Sequence, residues 1–125
     1  VQGKTIAVLG LAFKPNTDDI REAPSIKIIQ KLLEMGAKVK AYDPVAANNA
    51  RRIFKDEIIF SEDPYYAVTD ASALLIVTEW NEFLELDLQR IKKLMAKLNI
   101  FDGRNIYEPE KMKELGFFYQ GIGRN

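Results

Sequence analysis

The sequence predicts a doubly wound parallel α/β sheet. Strand-like and helix-like segments alternate about six times over 125 residues, and their connections are long enough for right-handed crossovers. One segment, Ala73 to Thr78 (ALLIVT), is a continuous apolar run, as a central parallel strand covered on both faces requires. The strand order expected from this alternation is 3-2-1-4-5-6.

The elements follow in order. Lys4 to Leu9 (KTIAVL) is apolar and β-branched, and Gly10 ends it. Ser25 to Met35 carries Ile26, Ile29, Leu32 and Leu33 on one helical face, with Pro24 suited to the first turn and Gly36 as the stop. Lys38 to Tyr42 alternates as a strand and closes on Asp43-Pro44; Val45 to Phe54 reads as a short helix bearing Arg51 and Arg52. Glu57 to Phe60 is a short strand, and Asp63-Pro64 opens a helical turn through Val68. Beyond the ALLIVT strand, Leu88, Ile91, Met95 and Leu98 recur at helical spacing behind Asp87 as N-cap. Asn99 to Phe101 is a strand broken at Asp102-Gly103, Pro109 to Leu115 a helix stopped by Gly116, and Phe117 to Tyr119 the last strand.

Composition narrows the chemistry. Apolar residues make up 47% and charged residues 29%, the balance of a folded chain. Eighteen basic and eighteen acidic residues cancel, so nucleic acid and anionic membranes lose their electrostatic attraction. No apolar run approaches the length of a membrane span. There is no Cys and no His, which excludes thiol nucleophiles, His acid–base pairs, disulfides and Cys/His zinc sites. Without a signal-peptide pattern the expected location is cytoplasmic, and a chain that enters a strand almost at Val1 fits a domain cut from a longer protein.

Ligands of open parallel sheets bind beyond the carboxyl ends of the strands, where the strand order reverses. Here that point lies between the first and fourth strands, so the loop Gly10–Ser25 should face Thr78-Glu79-Trp80-Asn81. The loop is about 14 residues long, against the usual 2–6 for a βα connection. It carries Lys14 and Arg21, both suited to phosphate oxygens. Asn16, Thr17 and Asp18 are also ordinary turn formers, and Arg21 with Glu22 could be a solvated pair. Asp102-Gly103-Arg104-Asn105 lies on the same edge, as a second candidate or as a tight turn with a surface Arg. Trp80 reads as a core or interface anchor ahead of a ligand platform, and the remaining Phe and Tyr residues as core. The Gly-x-Gly-x-x-Gly dinucleotide fingerprint is absent after the first strand. Asp43 stands where an NAD domain places its ribose acid, but without those glycines it reads mainly as a turn residue before Pro44.

The stretch GLAFKPNTDDIREAPS, followed in order by AYDP, TEW, FDGRN and GIGR, resembles the C-terminal domain of the UDP-glucose/GDP-mannose dehydrogenase family. The resemblance covers essentially the whole chain. It implies a parent enzyme that oxidises the C6 hydroxyl of a nucleotide sugar to a carboxylate in two NAD-dependent steps. Such a parent has an N-terminal NAD domain, a central helical region that builds a homodimer or larger assembly, and this domain as the grip on the nucleotide. The resemblance places Phe13, Lys14 and Arg104 on the nucleotide sugar and turns Arg21 toward NAD held by the other domain. Asp18 and Asp19 order the loop, and Glu22 holds Arg21. The family's catalytic Cys is missing from a chain without cysteine, so the fragment alone is expected to be inactive and monomeric or weakly associating. The NTDDIREAPS form favours UDP-glucose, oxidised to UDP-glucuronate, over GDP-mannose or UDP-N-acetylhexosamines. Two other classes compete. A phosphoacceptor module would use Asp18, Asp19 and Thr78, although the acid pair falls far past the strand. A protein-interaction domain would leave the switch point without a ligand.

Overall fold

A computed structural model of the chain describes residues 2–12 and 23–121. All strand pairs are parallel, in a six-stranded sheet of order β3-β2-β1-β4-β5-β6. The strands are β1 (Thr5–Leu9), β2 (Lys38–Tyr42), β3 (Ile59–Phe60), β4 (Ala73–Ile76), β5 (Asn99–Asp102) and β6 (Phe118–Gly121). The helices are α1 (Pro24–Glu34), α2 (Ala47–Phe54), α3 (Pro64–Val68), α4 (Asn81–Leu84), α5 (Leu88–Leu94) and α6 (Pro109–Glu114), with a 3₁₀ turn at Lys55–Glu57. The doubly wound topology expected from the sequence is the one observed.

Local chemistry accounts for the element ends. Pro24, Pro64 and Pro109 each occupy the first turn of a helix, where their missing N–H removes no intrahelical bond. Asp63 and Asp87 cap α3 and α5 by accepting from Tyr65 N and Arg90 N, at 3.2 and 3.1 Å. The helix expected to continue through Leu98 stops instead at Leu94, because the chain turns to pair Ala96 N with Ala71 O at 2.8 Å. A separate one-turn helix, α4, was not visible in the apolar spacing.

Two apolar layers sandwich the sheet. Val8, Val39 and Ala41 pack under α1 and α2 with Ile29, Ala50 and Phe54. On the opposite face, Leu74, Ile76 and Ile100 join Phe83, Ile91 and Met112 of α4, α5 and α6. The aromatic residues do not all enter these layers. Tyr66, Phe101 and Phe118 are 53%, 40% and 57% exposed, a correction to the expectation that the remaining Phe and Tyr side chains are core.

Just past β1, Gly10 lies tight against Thr78, with a φ of +97° in the left-handed region. A Cβ there would stand 2.5 Å from Thr78 Cβ and Oγ1, and Thr78 is fully buried. Gly10→Ala should therefore destabilise the chain by at least about 3 kcal/mol in urea unfolding. Gly3→Ala, with φ +75° but no atom within 4 Å, should cost about 1 kcal/mol.

Candidate functional site

Four strand ends converge at the switch point, and buried polar side chains tie them together. Gly10 N donates to Tyr42 O at 2.8 Å. The next two amides, Leu11 N and Ala12 N, both aim at Asp43 Oδ2, at 2.7 and 3.4 Å. The other carboxylate oxygen, Oδ1, accepts from Val45 N and Ala46 N at 2.8 Å each. Asp43 is thus the turn residue read from the sequence and also a clamp on the start of the long loop. Buried backbone donors need such partners, and an ionised carboxylate is a strong one.

Two hydroxyls complete the neck of the loop. Thr78 Oγ1, just past β4, donates to Ala12 O at 2.6 Å. Ser25 Oγ, in the first turn of α1, donates to Leu11 O at 2.6 Å. Leu11, Ala12, Ala23, Ser25 and Thr78 are all at most 2% exposed. The two ends of the loop therefore leave the core from a dry, bonded base. The expected meeting of this loop with the segment after β4 is realised through Thr78. That bond also commits Thr78 to the backbone, which removes the hydroxyl that a phosphoacceptor switch would use.

A second carboxylate organises the neighbouring edge. Asp102, 1% exposed at the end of β5, accepts from Arg104 N at 3.0 Å through Oδ1. Its Oδ2 accepts from Ile106 N and Tyr107 N at 2.7 and 3.1 Å and from Tyr119 Oη at 2.5 Å. The Asp-Gly turn is therefore a buried hub. Arg104 leaves it partly exposed, and its Nη2 lies 2.7 Å from Glu79 Oε1 across the mouth of the site. One contact to Glu79 leaves other guanidinium donors for an anion.

Of the residues singled out in the sequence, Arg104 is placed at this mouth. Phe13, Lys14, Asp18, Asp19, Arg21 and Glu22 lie outside the described residues. Trp80 packs against the larger apolar layer, as an anchor. Its buried Nε1 has no acceptor among the described residues. Sequence reading missed the neck roles of Ser25 and Thr78 and the partnership of Glu79 with Arg104. The available signal was the Asp that terminates both β2 and β5.

The described residues do not form a dinucleotide cradle. The Cβ direction at Gly10 is filled by Thr78, and its N–H is committed to Tyr42 O. Among the described residues, no group of three acidic residues is arranged to hold a metal ion. No described helix is long and apolar enough to cross a membrane.

Sheet order, long first loop and strand-end carboxylates define a Rossmann-like domain with its ligand edge at the β1–β4 switch point. Residues 7–109 match the UDP binding domain of the UDP-glucose/GDP-mannose dehydrogenase family, and the chain belongs to that family. It is 48% identical to the UDP-glucose 6-dehydrogenase of Pseudomonas aeruginosa, over 98% of this chain but only 28% of that protein. A UDP-glucose dehydrogenase from Pyrobaculum islandicum superposes with a TM-score of 0.83 at 34% identity, covering 100% of this chain and 26% of that one. An NDP-N-acetyl-D-galactosaminuronic acid dehydrogenase from Methanosarcina mazei gives 0.86 at 32% identity, over 99% and 25%.

The buried polar groups set two measurable quantities. In Asp43→Asn, one carboxylate oxygen becomes an NH₂ facing backbone donors, and unfolding free energy should fall by about 2–4 kcal/mol in denaturant titrations. The second concerns Tyr107, whose hydroxyl donates to Phe83 O. Burial raises its phenol well above the ordinary value, and the charge of Asp102 adds to the effect. Tyr42 is raised likewise, by burial and then by its hydrogen bond to Glu82. A raised folded-state value gives stability that is complete below about pH 10, where unfolded phenols ionise, and lost as pH climbs further. Denaturant midpoints measured above that pH should fall less steeply in Tyr107→Phe than in the parent sequence.

Proposed function

We propose that the chain is the nucleotide-sugar-binding C-terminal domain of an NAD-dependent UDP-glucose 6-dehydrogenase, a cytoplasmic enzyme that converts UDP-glucose to UDP-glucuronate in two hydride transfers. Residues 1–125 form that domain. The NAD domain, the catalytic Cys and the central dimer-building region belong to the rest of the parent. The main support is that the family match runs through the long loop and both strand-end carboxylates. The clamped neck gives that loop a fixed base at the switch point.

In this reading the diphosphate lies beyond β1 and β4. Lys14 supplies a compact charge and Phe13 an apolar contact, while Arg104 reaches in from the β5 side, held at one nitrogen by Glu79. Arg21 points toward the cofactor bound by the other domain, steadied by Glu22, and Asp18 and Asp19 order the loop. A carboxylate beside an anion-binding Arg orients the guanidinium and weakens its pull on phosphate. The charge-assisted contacts from the loop must therefore dominate affinity. UDP-glucose is favoured by the loop sequence. The similar superposition of an enzyme named for an N-acetylgalactosaminuronic acid indicates that the sheet itself does not select the sugar.

The test is calorimetric titration of the chain with UDP-glucose, ADP-glucose and pyrophosphate. UDP-glucose should bind best, and Lys14→Ala and Arg104→Ala should each weaken it about tenfold, the worth of one charge-assisted contact. Equal binding of all three anions, unaffected by either substitution, would overturn the reading. The chain alone should not reduce NAD in the presence of UDP-glucose.

A further inference from the structure

The segment after β4 is tied down on both sides of the switch point. Thr78 is fully buried and held to Ala12 O, and Trp80 packs against the larger apolar layer. Glu82, in the first turn of α4, accepts from Tyr42 Oη at 2.7 Å, and Tyr42 is the last residue of β2. Glu79 reaches the other way, to Arg104 just past β5, where Oε1 and Nη2 are 2.7 Å apart. The backbone of Arg104 is itself fixed, because its N–H donates to the buried Asp102. Thr78 to Glu82 therefore forms a strap from β2 to β5 across the ends of β1 and β4, with one carboxylate anchored toward each side.

Among the described residues of the strap and the β5 turn, 78–82 and 102–106, three carboxylates stand against one guanidinium. Asp102 serves the turn amides and Tyr119, and Glu82 serves Tyr42. Glu79 lies directly on Arg104, and the two side chains are 46% and 34% exposed, so an incoming anion meets them together. A pair this exposed adds little to folding stability. Its electrostatic effect on a ligand is larger. An anion on the remaining guanidinium donors comes within about 5–6 Å of the Glu79 carboxylate. At that distance one additional unit charge on the anion shifts an equilibrium about threefold even at the dielectric constant of water, and more at a protein surface.

We propose that Glu79 selects the ligand by charge, favouring a diphosphate diester over a nucleotide that ends in a free phosphate. The proposal rests on the nucleotide-sugar reading above. A diester diphosphate carries one negative charge on each phosphate, which Lys14 and Arg104 match in that reading. A nucleoside diphosphate adds a further charge at its terminal phosphate, whose second pKa is about 6. With Arg21 directed to the cofactor, that further charge meets Glu79. Without the carboxylate, Arg104 would grip the more highly charged terminal phosphate best, since its bonds to anions are charge-assisted. Selectivity is a difference between two affinities, and a fixed repulsion of the competitor supplies it without any gain in grip on the favoured ligand.

Calorimetric titration of the chain with UDP-glucose and with UDP, at about pH 8 where the terminal phosphate is fully charged, tests this through the ratio of the two affinities. A loss of folded protein does not change that ratio. Glu79→Gln should shift it toward UDP by about threefold or more, with the denaturant midpoint close to that of the unsubstituted chain. Glu79→Asp keeps the charge and should restore most of the original preference. Glu82→Gln removes the same charge from the same strap while leaving Tyr42 Oη an acceptor, and should leave the ratio unchanged. An unchanged ratio in Glu79→Gln, with UDP-glucose still preferred over ADP-glucose, would overturn the charge selection and leave the nucleotide-sugar reading intact. An equal shift in Glu82→Gln would also overturn it, by assigning the effect to the net charge of the chain. Equal binding of UDP-glucose, ADP-glucose and pyrophosphate by the unsubstituted chain would overturn both readings together.

Discussion

The structure depends on one buried carboxylate. Asp43 holds four backbone amides, two from the turn after β2 and two from the first residues of the long loop. Those residues have left the sheet ladder, and their N–H groups would otherwise be stranded in an apolar interior. A carboxylate satisfies them where an amide or hydroxyl could not, because it presents only acceptors. The price of this arrangement is a fixed sequence at the neck: Gly10 for the close approach to Thr78, small residues at Ala12 and Ala23, and hydroxyls at Ser25 and Thr78.

The same device recurs at the end of β5. Asp102 gathers the amides of the next turn and the hydroxyl of Tyr119, and so fixes the backbone from which Arg104 extends. Both carboxylates sit at carboxyl ends of strands, on the edge where parallel sheets take ligands. The sheet provides register and the carboxylates convert that register into loop positions. What remains exposed at the mouth, Arg104 paired with Glu79, has little stability of its own to offer.

Sheet order was legible in the sequence, because alternating periodicities and the ALLIVT run depend only on which faces are buried. Prolines and Asp caps marked helix starts for local reasons. The details that failed were non-local. The end of α5 depends on Ala96 reaching Ala71, and the exposure of Phe101 and Phe118 depends on which helices reach each face of β5 and β6. Neither can be read from a short window of sequence. Among the candidate site residues, Lys14 and Arg21 stood out by charge, and Arg104 by its place after β5. Thr78 and Ser25 did not, because a neck hydroxyl is indistinguishable from a surface one until the chain folds around it. Asp43 was half legible: its turn role follows from Pro44, while its hold on Leu11 and Ala12 spans more than thirty residues of sequence.

The central claim is that the neck sets the position of the loop proposed to hold the nucleotide. A double-substitution cycle on UDP-glucose affinity, combining Thr78→Val with Lys14→Ala, tests it most directly. Thr78→Val removes the bond to Ala12 O and keeps the side-chain shape. If the neck positions Lys14, the first substitution weakens binding and the second adds little to it, a coupling of about 1 kcal/mol. Full additivity of the two losses, with the fold intact, would contradict the account.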